Sequence, residues 1–318
     1  MRYITLAIIS AVCLLASCSV EGGKDIFDVP YTGYTLFEAD FENVDMLGEQ
    51  SDFLLNIQDG IGVFGSDKGV NEKYTLKKAF DGKASGEFYG PVVSGEKIMA
   101  YYPYTEGMNL YDGTLPYTIS PAQSYSQNVS VLDHFLAYSE YAYAFAQNDN
   151  KLRFGYMSGL LVFEVAFVEP VTVTSIELIS EGANIAGMGK VNPDKTVSMG
   201  ESGSKHLTVD FGEGIISNVD GKSSIYPVVL PAGNHENIKL VLNTVEMGEI
   251  LCVLAPFAIE RISAGDYRVT ELVVKVGALG GFEVEGDLEF ESESKEYEKA
   301  IIHFNYFCSC FLLHQIRT

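Results

Sequence analysis

The groups with which this chain of 318 residues could do chemistry are five histidines, five cysteines and 43 acidic side chains. The histidines are His134, His206, His235, His303 and His314. A zinc protease holds its metal with two histidines four residues apart in H-E-x-x-H; His235-Glu236 is followed by Lys239 at that spacing, so this chemistry is unsupported. A nucleophilic serine on a sharp elbow needs G-x-S-x-G. Ser158 lies in Gly155-Tyr-Met-Ser-Gly159, which lacks that pattern, and no Asp and His follow in a defensible order; a place in a β-strand suits it better. Asp59-Gly60 and Asp112-Gly113 could start calcium loops, but the D-x-D-x-D spacing is missing and tight turns explain them. A glycosidase needs two carboxylates that lie far apart in a chain, and nothing here singles out a pair. No catalytic, cofactor-binding or metal-ligating residue is therefore named, no cofactor is implied, and an enzyme is not expected.

The cysteines point elsewhere. Cys252, Cys308 and Cys310 form an odd set with no C-x-x-C pair, hence no disulfide framework and no zinc site. Cys13 and Cys18 belong to the N-terminus, where Arg2 precedes an apolar run from Ile4 to Ala16. That run is too short to span a bilayer and has the length of a signal-peptide core. It ends in Leu15-Ala16-Ser17-Cys18, the form of a bacterial lipobox, with small residues for the peptidase and a thiol at Cys18 to carry the diacylglycerol. A plain signal peptide containing a chance cysteine is the blander reading. Each buried methylene contributes about 0.8 kcal/mol, so several acyl chains hold firmly. Ser19, in place of Asp, points to the outer membrane, and Glu21, Lys24 and Asp25 make a weak acidic tether, which leaves the leaflet open.

A net charge of -22 argues against nucleic-acid binding, which needs clustered Lys and Arg. Tyr and Phe number 19 each and Trp is absent, which weakens a sugar-stacking surface. In Tyr101-Tyr-Pro-Tyr104 strand alternation turns Tyr101 and Tyr102 to opposite faces, so core packing is the expected role of at least one ring.

The elements that must position these residues are strands. His206–Phe211, Ile238–Val245 and Tyr267–Val276 are β-branched, aromatic and partly alternating. Asp-Gly pairs at 59, 81, 112 and 220 suit tight turns. The best helix candidate is Val131 to Tyr143. From Phe282 to Glu291 apolar and acidic residues alternate strictly. Beyond it, Ile301 to Leu313 matches nothing upstream. This end reads either as a membrane-touching or partner-binding segment or as a truncated or frame-shifted gene end. The expected organisation is a signal peptide over 1–17, a tether over 18–35, β domains over 36–148 and 149–276, and an acidic strand with an apolar tail over 277–318. The boundary rests on the polar run Gln147-Asn-Asp-Asn150, within about ten residues.

Several segments in succession resemble the fimbrillin family of Gram-negative anaerobes. They are Ile61-Gly-Val-Phe64, Tyr101-Tyr-Pro-Tyr104, Gln123 with Asp133 and Ala137 downstream, Leu152-Arg-Phe154 leading into Met157-Ser-Gly-Leu160, Tyr226-Pro-Val-Val-Leu-Pro231 and Ser263-Ala-Gly-Asp-Tyr267. They cover about residues 50 to 276; Gly155-Tyr156 departs from a His carried by many relatives. The resemblance implies an all-β fold of two tandem transthyretin-like Greek-key β-sandwiches, export as a lipoprotein to the outer membrane and the cell surface, and partnership with other pilus subunits by exchange of β-strands. Phe282 to Glu291 could be such a donor strand or an ordinary edge strand of its own domain. Stalk-forming relatives are matured at an arginine that frees the first strand. Here no arginine stands between Arg2 and Arg153, which implies an anchor or accessory subunit, with structural or adhesive role. The alternative is a glycan-binding lipoprotein of a nutrient uptake system.

Overall fold

The computed structural model of the chain describes residues 34–41, 45–46, 49–50, 55, 58–67, 69–80, 84–147, 149–167, 169–217, 224–259, 261, 270–276 and 282–287. The signal peptide with Cys18, the Asp81-Gly82 and Asp220-Gly221 pairs, Ser263 to Tyr267, His303, His314, Cys308, Cys310 and the apolar end lie outside the described residues. What is described is all-β apart from one short helix.

The first strands are β1 (Tyr34–Phe41), β2 (Asp45–Met46), β3 (Glu49–Gln50), β4 (Gly60–Gly65), β5 (Glu72–Ala79), β6 (Ser85–Pro91) and β7 (Lys97–Tyr102). Then come β8 (Leu115–Ile119), β9 (Ala122–Ser124), the helix α1 (Val131–Tyr138), β10 (Ala142–Gln147) and β11 (Lys151–Tyr156). The rest of the chain is β12 (Ser158–Phe167), β13 (Val171–Ser180), β14 (Gly187–Val191), β15 (Val197–Met199), β16 (His206–Ser217) and β17 (Ser224–Pro231). It closes with β18 (Gly233–His235), β19 (Ile238–Thr244), β20 (Gly248–Val253), β21 (Phe257–Ile259), β22 (Thr270–Val276) and β23 (Phe282–Asp287).

Seven strands close a barrel in the order β1-β11-β10-β7-β4-β5-β6. Side chains alternate across a strand, and the sequence uses this directly in β10. In Tyr141-Ala-Tyr-Ala-Phe-Ala146 the alanines 142, 144 and 146 face the barrel core, while Tyr143 is buried on the other face. β4 and β7 divide the same way, with Ile61, Val63, Ile98 and Ala100 inside and Phe64, Met99 and Tyr101 outside. Both faces of this side of the barrel are therefore dry, which is why β4 is buried at every residue. Gly62 permits it: a Cβ there would lie 1.9 Å from a ring carbon of Tyr101, so only glycine lets that ring lie across the strand.

The second half holds a four-stranded sheet, β17-β12-β22-β23, and a five-stranded one, β20-β19-β13-β16-β9. Buried apolar residues of β12, β13, β16, β17, β19 and β20 join one cluster, and Phe211 meets Tyr226 across it with ring centroids 5.1 Å apart. Leu160 to Phe163 are all buried, the continuous apolar run of a strand covered on both faces. Two strands from before the polar break at 147–150 pair with strands that follow it: β9 lies parallel to β16 in the five-stranded sheet, and β8 pairs with β14 in a separate three-stranded sheet, β15-β14-β8. The break itself joins β10 to β11 within the barrel, and the chain leaves the barrel at Met157.

α1 ends sooner than its sequence pattern predicts. Ser130 caps it, its Oγ accepting from the Asp133 N–H at 2.9 Å, but Ser139 leaves helical geometry and the Tyr-Ala alternation that follows makes a strand instead. Asp112-Gly113 is a tight turn with both φ angles positive, as an Asp-Gly pair allows. Asp59-Gly60 is not a hairpin tip; Gly60 opens β4.

Candidate functional site

The places at which a β fold can pair with another chain are its outermost strands and sheet edges, here taken among the described residues. β1 is built to fill a slot. It lies antiparallel to β6, from Tyr34 opposite Pro91 to Asp40 opposite Ser85, and parallel to β11, from Glu38 opposite Lys151 to Phe41 opposite Phe154. Phe37, Ala39 and Phe41 are buried and the residues between them are exposed. Phe41 stacks on Phe154 at 4.5 Å and meets Tyr102 edge-on at 5.0 Å, and Phe37 lies 5.4 Å from Tyr74. Burying two phenylalanines contributes about 1.5–3 kcal/mol each. Outside, Glu38 faces Lys151 at 3.9 Å, an exposed pair of little energetic consequence.

β17 is an edge strand, and its outer side is closed by side chains. The Gln123 amide donates to the Val229 carbonyl at 2.8 Å, and its oxygen accepts from the Val229 N–H at 3.1 Å, both buried. Backbone groups alternate sides along a strand, so residues 227 and 231 present theirs in the same direction as 229. Both are prolines and have no N–H to leave unpaired. The Pro231 carbonyl accepts from His235 Nε2 at 2.9 Å. The Pro227 carbonyl lies near the buried ring of His134 on α1, which also faces the Ser124 carbonyl; neither reaches hydrogen-bond geometry. An exposed edge invites another chain to pair, and this one is blunted from Pro227 to Pro231.

The other end of that sheet is the C-terminal hairpin. β22 runs parallel to β12, with Leu161 opposite Thr270 and Phe167 opposite Val276. β23 returns antiparallel, from Val276 opposite Phe282 to Glu271 opposite Asp287. Among the described residues it has no second neighbour in the sheet. The alternating segment, as far as it is described, is thus an edge strand of the chain's own sheet.

The residues weighed as chemical groups are dispersed. His206 Nδ1 sits 2.7 Å from Glu177 Oε1 on the surface of the five-stranded sheet. His235 is buried and stacks on Phe257, and burial lowers its pKa. Burial pushes His134 down to about 4, against a weaker pull upward from the Ser124 and Pro227 carbonyls. Cys252 is fully buried in β20. Ser158 opens β12, its Oγ 2.9 Å from the hydroxyl of Tyr117, which is buried and correspondingly hard to ionise. Asp112 makes a 2.7 Å ion pair with Lys190, which lowers its pKa. Among the described residues no group of His, Cys, Asp and Glu is placed to hold a metal ion.

The aromatic run sorts as alternation requires. Tyr101 is fully buried, its hydroxyl donating to the Thr105 carbonyl at 2.9 Å, and Tyr102 is half-buried. Tyr101, Tyr141, Tyr143 and Tyr117 follow one another at 5.6, 6.3 and 6.4 Å between ring centroids, from the barrel wall to Ser158 in the second half. Sequence reading missed this relay and the closure of β17. The second had a visible signal: two prolines four apart in an apolar strand share one side and mark an edge.

No family model matches the chain, and no curated protein does. Solved structures do. One is a candidate cell adhesion protein from Bacteroides ovatus, 13% identical, covering 83% of this chain and 99% of its own, with a TM-score of 0.49. A fimbrial protein from Bacteroides vulgatus is 11% identical over 80% of this chain and 99% of its own, at 0.43. The tip fimbrial protein Mfa3 of Porphyromonas gingivalis, C-terminally truncated, is 11% identical over 80% and 98%, at 0.40. The solved structures that this chain is similar to are thus fimbrial and cell adhesion proteins.

Proposed function

We propose that the chain is a fimbrillin-like lipoprotein of the cell surface, held in the outer membrane through Cys18, with a structural or adhesive role as a pilus anchor or accessory subunit. In this reading the two halves are tandem transthyretin-like Greek-key sandwiches, divided within about ten residues of Asn148. The observation that carries it is the seating of β1. The first strand after the lipobox and tether fills the slot between β6 and β11 with three buried side chains. No arginine lies between Arg2 and Arg153 to let an Arg-specific protease release it. A subunit that keeps its first strand offers no open slot there to a neighbour, and it stays on its lipid. Its contact with other subunits then falls to the other end, where the acidic strand from Phe282 onward is the candidate donor.

The test is to label cells with a fatty acid, recover the protein from the surface and sequence its N-terminus. Label on the natural chain, none on Cys18→Ala, and a blocked N-terminal cysteine are expected. A free N-terminus inside residues 25 to 70 on polymeric material would make this a stalk subunit instead.

A further inference from the structure

The end of the barrel at which the chain enters carries an apolar cap that the fold does not need. Tyr34 is 52% exposed, Leu36 39%, Val70 49% and Val92 57%. They are neighbours by register: Tyr34 lies opposite Pro91, which precedes Val92, and Leu36 lies opposite Tyr89. The Tyr34 and Tyr89 rings are 6.4 Å apart. Val70 and Val92 line one small cavity of about 40 Å³ together with Gly65, Glu72, Val93 and Ser94. A contiguous patch of large apolar side chains left in water marks a surface that meets something.

We propose that this cap rests on a lipid bilayer. The proposal deepens the reading of the chain as a lipoprotein and depends on it. Tyr34 follows Cys18 by 16 residues. At about 3.5 Å per extended residue the tether reaches no more than roughly 55 Å, and it joins the barrel at the cap itself. Tethering at that distance makes even weak contact with the membrane effectively intramolecular. The side chains suit an interface: aliphatic groups enter the acyl boundary, while tyrosines bury the ring and keep the hydroxyl wet. Among the described residues the charged groups beside the cap are Asp67, Glu72 and Glu96 against Lys97. That balance disfavours capture by anionic headgroups, so docking acts through apolar burial and is insensitive to salt.

The chain has no tryptophan, so one can be introduced as a sole reporter. Val92→Trp and, separately, Tyr34→Trp are made in the full lipidated chain, with Val245→Trp, 66% exposed in the second half, as the control. Each protein is reconstituted in phosphatidylcholine vesicles with and without brominated acyl chains, which quench tryptophan only at contact. Several-fold stronger quenching at 92 and 34 than at 245, unchanged between low and high salt, is expected. Flotation with the vesicles but equal quenching at all three positions overturns the docking and leaves the anchor standing. Failure to float overturns the anchor and the docking with it. Reporters at 92 and 34 that are shielded without bromolipid, in a chain that runs as a dimer in detergent, give the cap to a second copy and overturn the proposal.

Discussion

Gln123 and Val229, 106 residues apart in the chain, exchange two hydrogen bonds that imitate a β-bridge with a side chain. The pairing binds β9, a strand of the five-stranded sheet, to the edge of the four-stranded one. Removing it orphans a buried N–H and a buried carbonyl at once. Each such group costs about 1–3 kcal/mol, so Gln123→Ala is expected to destabilise by roughly 2–6 kcal/mol. Gln123→Glu keeps the acceptor for the Val229 N–H but sets an oxygen against its carbonyl, and it should be no better. The midpoints of urea unfolding check both; a loss under about 1 kcal/mol for Gln123→Ala would show that the edge does not depend on this side chain.

Tyr117 and Ser158 form a buried pair of hydroxyls at 2.9 Å. Tyr117→Phe strands the serine, and Ser158→Ala strands the phenol, each at a cost of about 1–3 kcal/mol. The double variant leaves neither group unpaired, so it should be markedly more stable than the sum of the single losses. A double-mutant cycle by thermal unfolding measures the coupling.

Leu242 is fully buried in β19 and Val241, on the opposite face, is 9% exposed. Leu242→Ala should cost about 2–5 kcal/mol and Val241→Ala less, because fewer atoms are lost and the site borders solvent. Equal, negligible effects on the unfolding midpoint would contradict the packing of the five-stranded sheet.

His134 gives the chain a pH dependence of known sign. Its folded pKa is about 4, lowered by burial from 6.5. Between those values the unfolded chain binds a proton that the folded chain does not, so stability falls as pH drops through this window and is unaffected by this group above it. The gap between the two values corresponds to a full loss of about 3 kcal/mol. Carboxylates titrate near the lower end, so the comparison is with His134→Leu. The variant's stability should fall less than the natural protein's between the ordinary histidine pKa of 6.5 and the lowered one near 4, and parallel curves would refute the assignment.

Much of the architecture could be read in residue patterns because alternation and burial coincide there. His206–Phe211 and Ile238–Thr244 form strands as their patterns require, and Phe282–Asp287 does so as far as it is described. The helix was legible at its start, where Ser130 and Asp133 act locally, and not at its end, where a strand pairing with β7 wins over continued helix. What stayed hidden is long-range. Nothing in Gln123 announces a partner at 229, and nothing in Leu115–Ile119 announces that it pairs with β14. Prolines 227 and 231 were the exception, since their missing donors constrain the strand whatever lies beside it.

The placement of β1 has a mechanical consequence. It is held on both sides, by β6 and by β11, and the chain leads from its first residue, Tyr34, toward the N-terminus. Tension applied from that end acts along the strand's own length, so its cross-strand bonds share the load together instead of parting one at a time. Under shear the barrel is then expected to yield at a high force and in one step when pulled through residue 34, and more readily when the pulling point is moved to a loop that peels a strand sideways.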